Sequence, residues 1–176
     1  MKRLISLLLM VLLLTGCAFS GNQMKDPVTF YYPRSTTDSN VYDDFFAEGV
    51  IGSEIREASG YSDNLAQMLT VYFKGPLDQS LRSPYPFGCG ILKMQQTDTE
   101  LTLMLNPFLA EKSDLEITLA CACLAKTCFE LTDVDTIRIE SRNLEDKLLF
   151  SRTFTGENLF LYDDYNQPVN NAENTQ

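Results

Sequence analysis

The stretch 113–131, SDLEITLACACLAKTCFEL, decides the fold because it predicts a helix with a defined start. Ser113 and Glu116 have the spacing of a capping box, in which each side chain bonds the backbone N–H of the other residue. After this start, apolar residues recur at helical spacing and predict one buried stripe. The stripe consists of Ile117, Ala120, Cys121, Leu124, Cys128 and Leu131.

A second helix is predicted upstream of the first. Ser62 is the expected N-cap, and Gly75 followed by Pro76 marks the end of the helix. Apolar residues at positions i, i+3, i+4 and i+7 define its buried face. They are Leu65, Met68, Leu69 and Tyr72.

Six strands are predicted around these helices. The segment 28–32, VTFYY, is β-branched and aromatic, and 50–58 follows it with Ile51 and Ile55 as its apolar positions. A hairpin spans 91–105, where Leu101, Leu103 and Leu105 alternate with more exposed residues. Two further strands are expected at 136–140 and 148–154. This order predicts an α+β fold in which two helices pack on one face of a mostly antiparallel sheet.

The N-terminus has the pattern of a bacterial lipoprotein signal. Lys2 and Arg3 precede an apolar run that is too short to span a bilayer, and the run closes at Leu14-Thr15-Gly16-Cys17. We therefore expect cleavage after residue 16 and a diacylated Cys17, which would anchor the protein on the extracytoplasmic face of the cell membrane. The alternatives are an ordinary secretory signal with an incidental Cys17, or an uncleaved anchor.

The remaining chain divides into three predicted parts. Residues 17–27 are the lipidated cysteine and a polar tether that reaches at most about 35 Å. Residues 28–162 form one domain, and 163–176 form a flexible tail. Loss of residues 1–16 leaves 12 basic and 24 acidic side chains, a formal charge of −12. This balance argues against a nucleic-acid partner and against charge-driven binding to an anionic membrane.

The chain contains no histidine, which excludes Ser-His-Asp and Cys-His catalysis. We predict neither a metal nor a cofactor. Cys123 lies about 200° around the helix from Cys121, so the thiols of Cys121, Cys123 and Cys128 cannot converge on one ion. Buried core thiols are the favoured interpretation, although Cys89 could form a disulfide with one of the three.

Acidic pairs and tyrosines supply two weaker hypotheses. Adjacent carboxylates such as 43–44 and 163–164 are typical of a solvated surface, and 133–135 lacks the rest of a calcium loop. Tyrosines could stack on glycan, although core or edge packing is the commoner outcome. The candidates are Tyr31, Tyr32, Tyr42, Tyr61 and Tyr85.

The segment 76–90 is a loop stiffened by prolines. Arg82 carries the only charge at its tip, where it could bind a carboxylate, backbone carbonyls or a partner. The candidate interaction loop consists of Arg82, Ser83, Pro84 and Tyr85.

Two blocks of this sequence resemble the GerMN domain family. The first is 72–76, YFKGP, followed by 81–88, LRSPYPFG; the second runs from Thr127 through Leu131 and Val134 to Ile139. The resemblance covers about 28–140. It departs from the family pattern at Cys128, where leucine is usual, and at Cys89, where a polar residue is common.

The resemblance implies a sandwich like those of ring-building secretion channels, without catalytic residues. It implies a non-enzymatic lipoprotein that acts as an interaction or assembly module in the bacterial envelope, in sporulation or germination. Its partners would be envelope proteins or further copies of the chain. The alternative is a module that binds peptidoglycan or another glycan in cell-wall maintenance.

Overall fold

The computed structural model describes residues 26–35, 49–60, 63–156 and 159, which form two sheets and two helices. The α+β class predicted from the sequence is confirmed. No helix in this part of the chain is long and apolar enough to cross a bilayer. The predicted signal sequence, Cys17, residues 18–25 of the tether and the predicted tail fall outside the described residues.

The smaller sheet pairs β1 (Pro27–Pro33) with β2 (Ile51–Glu57) in antiparallel register. Ile51 is buried as predicted, but Ile55 is more than half exposed, which corrects the expected apolar pattern. The strand instead turns a charged residue inward, because the guanidinium of Arg56 lies 5.2 Å from the centre of the Phe30 ring.

Arg56 also joins β2 to the segment that follows the helix Leu65–Tyr72. Its guanidinium forms a salt bridge with Glu54 and donates a 2.6 Å hydrogen bond to the carbonyl of Gly75. Both side chains of the ion pair are about nine-tenths buried. The Glu54 carboxylate in turn accepts hydrogen bonds of 2.9 Å from the backbone N–H groups of Leu77 and Asp78. This network fixes the start of the proline-rich loop.

The larger sheet has four strands in the order β3, β4, β5, β6. These strands are β3 (Ile91–Gln96), β4 (Glu100–Leu105), β5 (Thr136–Arg142) and β6 (Leu148–Thr155). β4 and β5 are parallel, and the other two pairs are antiparallel. Alternation is strict on the two central strands, whose inward apolar side chains are completely buried. They are Leu101, Leu103, Leu105, Ile137 and Ile139.

Helix α2 (Asp114–Leu131) lies between the two sheets. It contacts β1 of the smaller sheet and β5 and β6 of the larger one. Every residue from Ala120 to Ala125 is buried, and six consecutive residues cover the whole circumference of a helix. The single buried stripe predicted from the sequence is therefore incomplete. The predicted capping box at Ser113 and Glu116 is present.

Helix α1 (Leu65–Tyr72) buries Met68, Leu69 and Tyr72 of the predicted face, and Leu65 is half-buried. Its N-cap is Asn64, whose side chain accepts a 3.1 Å hydrogen bond from the N–H of Gln67; Ser62, the expected cap, lies outside the described residues. The ring of Tyr72 stacks on Tyr32 of β1 with 4.7 Å between centroids. This stack attaches α1 to the smaller sheet.

Gly75 ends the α1 segment in a left-handed conformation, with φ of +90°. Replacing it with alanine is expected to lower the free energy of unfolding by about 1–2 kcal/mol, the cost of placing an L-residue there. A new Cβ would make only ordinary contact with Ser83 at 3.5 Å, so no clash adds to this cost. Urea unfolding followed by circular dichroism measures the change.

Gly90→Ala is the matched control for this prediction. Its Cβ would meet nothing within 4 Å, and its φ lies outside the left-handed range. We expect this variant to unfold within about 0.5 kcal/mol of the original protein. Equal losses in the two variants would contradict a conformational role for Gly75.

Candidate interaction surface

The predicted interaction loop is tied to β1 and partly exposed. Arg82 and Ser83 are exposed, and the backbone N–H of Arg82 donates a 2.9 Å hydrogen bond to the carbonyl of Pro33. The Ser83 hydroxyl accepts a 3.3 Å hydrogen bond from the N–H of Tyr85, which tightens the turn around Pro84. The loop borders a depression of about 90 Å³.

Tyr85 is the buried anchor of this loop rather than a contact residue. Its hydroxyl donates a 2.8 Å hydrogen bond to the carbonyl of Ala120 on α2 and lies 3.1 Å from the hydroxyl of Tyr72. The Tyr72 hydroxyl also donates a 3.0 Å hydrogen bond to the carbonyl of Tyr31. Burial raises the pKa of both Tyr72 and Tyr85 well above the usual value. Among the four predicted loop residues, only Arg82, Ser83 and part of Pro84 can reach a partner.

The tyrosines proposed for glycan stacking do not form an exposed strip within the described residues. Tyr32 and Tyr85 are buried, which corrects their expected role. Tyr31 is half-buried, and its hydroxyl donates a 3.0 Å hydrogen bond to Glu130. Tyr42 and Tyr61 lie outside the described residues. Glycan stacking therefore has no support from these side chains.

The four cysteines of the described domain are buried free thiols. The favoured interpretation as core thiols agrees with this burial, and the alternative disulfide from Cys89 is not formed. Burial raises the pKa of Cys89 to about 11 and that of Cys121 to about 12, and it also raises the pKa of Cys123 and Cys128. Because thiolate is the reactive form, these thiols are poor nucleophiles at neutral pH. Within the described ranges, no three cysteine or acidic side chains are grouped to hold a metal ion.

Local hydrogen bonds lower the pKa of three carboxyl groups, those of Asp78, Glu100 and Glu116. The pKa of Glu100 is lowered mainly by a hydrogen bond from Arg138, and that of Glu116 by its hydrogen bond with Ser113. The backbone N–H of Ser80 lowers the pKa of Asp78. General acid catalysis requires the opposite shift, a raised carboxyl pKa. The pairs at 43–44 and 163–164 lie outside the described residues.

One end of the four-stranded sheet carries exposed apolar side chains. The parallel strands β4 and β5 both end there, and the antiparallel strands β3 and β6 both begin there. Three segments therefore lie at this end: the one before β3, the one after β4, and the turn between β5 and β6. Phe87 and Leu144 are fully exposed, and Phe108 and Leu148 are nearly half exposed. Gly88 brings the first two segments together, since a Cβ at that position would lie 3.2 Å from the Phe108 ring. We call these four side chains the apolar end.

The apolar end is difficult to predict from the sequence. Phe87 and Phe108 follow proline-containing segments, and Leu144 and Leu148 flank a polar turn. None of the four belongs to an alternating or helical apolar pattern. Exposed apolar side chains gathered on one part of a protein surface commonly mark a binding surface.

The predicted tether would join the domain at Pro27, whose position follows from the direction of β1. β1 runs antiparallel to α2, because the N–H of Tyr31 donates to Thr127 near the end of the helix while Pro33 lies beside Arg82. Arg82 in turn borders the first turns of α2 at Glu116. The first turns of α2 follow the end of β4, so they lie toward the apolar end. The Pro33 end of β1 lies on that side as well, and Pro27, at the other end of β1, lies toward the opposite end of the domain.

Comparison with known proteins gives two distant structural similarities. The chain superposes on the tandem GerMN domains of the sporulation protein GerM from Bacillus subtilis with 19% identity and a TM-score of 0.45. The match covers 73% of this chain and 45% of GerM, so the chain spans less than half of that protein's length. GerM belongs to the family whose motifs the sequence resembles.

The second similarity is to a Clostridium perfringens protein provisionally classed as a lipoprotein. Identity is 17% and the TM-score is 0.44, over 74% of this chain and 87% of the other. No protein-family model and no curated sequence matches the chain.

Proposed function

We propose that this protein is a membrane-anchored, non-enzymatic interaction module of the bacterial envelope, acting in sporulation or germination. Its anchor would be the lipid on Cys17, at the extracytoplasmic face of the cell membrane. Two acyl chains suffice for stable attachment of an acidic domain that membranes do not attract by charge. Its partner would be an envelope protein or a further copy of this chain.

The apolar end is the observation that carries this proposal. Phe87 and Leu144 are large, fully exposed apolar side chains. Neither packs in the core, so neither stabilises the fold by burial. Burial of such side chains against a partner contributes about 1.5–3 kcal/mol each. Because Pro27 lies toward the opposite end of the domain, the apolar end would be accessible on a tethered protein.

The buried thiols and the ionised carboxylates support the non-enzymatic part of the proposal. Cys89 and Cys121 are protonated at neutral pH, and Glu100 and Glu116 are ionised through hydrogen bonds to their neighbours. Neither arrangement supplies a nucleophile or a general acid poised near neutral pH.

Serine substitution at the apolar end tests the proposed interaction. Native membranes carrying the protein are solubilised in mild detergent and separated by size exclusion. We expect the original protein to elute in a complex, and the double variant Phe87→Ser, Leu144→Ser to elute as a monomer. Leu77→Ser is the matched control, because Leu77 is also an apolar side chain and is 79% exposed. It is not one of the four residues of the apolar end, and its backbone N–H donates to Glu54 of β2.

Two outcomes of this experiment would overturn the proposed interaction. One is elution of the original protein as a monomer from its native membrane. The other is an unchanged complex in the double variant. Circular dichroism of the purified variants verifies that the serine substitutions leave the fold intact.

A further inference from the structure

A groove separates α1 from β3 at the edge of the four-stranded sheet. Its volume is about 570 Å³, and its β-sheet wall runs from Cys89 to Met94. The opposite wall presents Ala66 and Thr70 of α1 and the two residues that follow the helix, Phe73 and Lys74. This groove shares no lining residue with the apolar end.

β3 is an edge strand. It pairs with β4 on one side, and within the described residues no strand pairs with its other side. Alternate backbone N–H and C=O groups on that side are therefore free to bond an additional strand. A groove between a helix and an open strand edge has the shape that an extended peptide requires.

The lining of the groove is apolar at its base. Ile91, Met94 and Phe73 are half-buried, and Cys89 is buried beneath them. Leu92 is 65% exposed on the edge strand itself. Side chains on alternate positions of a bound strand would cover these groups, which gives the site a preference for apolar residues.

The charges at the groove are all positive. Lys74 and Lys93 are its charged residues, and within the described part of the chain neither forms a salt bridge. An edge-strand lysine blocks indiscriminate strand pairing, unless the incoming strand neutralises it. The lining therefore favours a segment that carries acidic residues.

We propose that the groove between α1 and β3 binds an extended, acidic segment of a partner protein as a fifth strand along β3. The pairing of β3 shifts register between Ile91 and Lys93, so the regular part of its edge runs from Lys93 to Gln96 and matches a segment of about four residues, or roughly 13 Å of extended chain. This proposal deepens the proposed interaction role and rests on it, but it places peptide recognition at a site separate from the apolar end.

A second copy of this chain fits the groove less well. A symmetric β3–β3 pair would have its two-fold axis near the middle of the strand, close to Lys93, and would bring the two lysine ammonium groups together. Like charges at that distance oppose pairing. Charge complementarity instead favours a different, acidic partner.

Selection from a phage library of random twelve-residue peptides tests the proposal. The target is the full lipidated protein in detergent micelles. We expect enriched peptides to combine aspartate or glutamate with apolar residues at alternate positions. Lys93→Glu should weaken their binding about tenfold, measured by fluorescence anisotropy of one synthesised peptide, because it replaces an attraction with a repulsion.

Lys147→Glu is the control of equal charge change, at an exposed lysine in the turn between β5 and β6. We expect it to leave peptide affinity within about twofold of the original. Amide hydrogen exchange supplies the structural readout. The bound peptide should slow exchange at the β3 amides that face away from β4.

Three outcomes would overturn the groove proposal. They are failure to enrich any peptide, equal loss of affinity in the Lys93 and Lys147 variants, and protection outside β3. Protection at Phe87, Phe108 and Leu144 would move peptide binding to the apolar end and leave the proposed function intact. Elution of the original protein as a monomer in the earlier experiment, with protection of β3 by the peptide retained, would instead overturn the interaction at the apolar end and leave peptide binding in the groove intact.

Discussion

Replacing Leu124 with alanine is expected to lower the free energy of unfolding by about 2–5 kcal/mol. Leu124 is fully buried near the middle of α2, the helix that contacts both sheets. Truncation leaves a cavity that neither sheet can fill without separating from the helix, and close-packed interiors relax only partly around such a cavity. Urea unfolding of the purified domain, followed by circular dichroism, measures the loss.

Leu115→Ala is the matched control, because it makes the same substitution on the same helix at a side chain that is 79% exposed. We expect its free energy of unfolding to change by no more than about 0.5 kcal/mol. A small effect at Leu124, or equal effects at the two positions, would contradict the placement of α2 between the sheets.

Replacing Cys17 with alanine is expected to release nearly all of the protein from the membrane. Cleavage after residue 16 would leave a formal charge of −12, and no helix in the described part of the chain could span a bilayer. The two acyl chains on Cys17 would then supply almost all of the affinity for the membrane. Immunoblots of membrane and soluble fractions measure the distribution, and mass spectrometry of the N-terminal peptide detects the lipid.

Ser20→Ala changes the neighbouring tether and leaves the Leu14–Cys17 motif intact, so this variant should remain in the membrane fraction. Retention of the Cys17→Ala protein in the membrane after cleavage of residues 1–16 would contradict a lipid anchor. A mass for the original N-terminal peptide without added acyl chains would contradict it as well.

The secondary structure was largely predictable because each element carries a local pattern. Alternation at Leu101, Leu103 and Leu105 marks β4, and the Ser113–Glu116 box marks the start of α2. A local pattern of apolar residues predicts the secondary structure correctly when the tertiary contacts bury the same residues.

The burial of α2 was only partly predictable. Its additional buried residues are small, such as Ala122 and Cys123, and small residues mark no clear apolar face. The inward Arg56 was missed for a related reason. Only the tertiary structure brings the Phe30 ring, the Glu54 carboxylate and the Gly75 carbonyl around its guanidinium.

The candidate surfaces were the least predictable features. Phe87, Phe108 and Leu144 are separated by tens of residues, and the parallel pairing of β4 with β5 brings their segments to one end of the sheet. The groove likewise depends on β3 being an edge strand, which the order of elements along the chain does not specify. Of the predicted interaction loop, Tyr85 proved to be core, because its hydroxyl bonds the carbonyl of Ala120.

Site-specific photocrosslinking in the native membrane tests the central claim most directly. A photoreactive amino acid is placed at position 144 or 77, in proteins that carry either Cys17 or Cys17→Ala. We expect one discrete crosslinked product from position 144 in the anchored protein, much less of it without Cys17, and none from position 77. Equal products from both positions, or none from position 144 in the anchored protein, would contradict a membrane-held module that binds its partner through the apolar end.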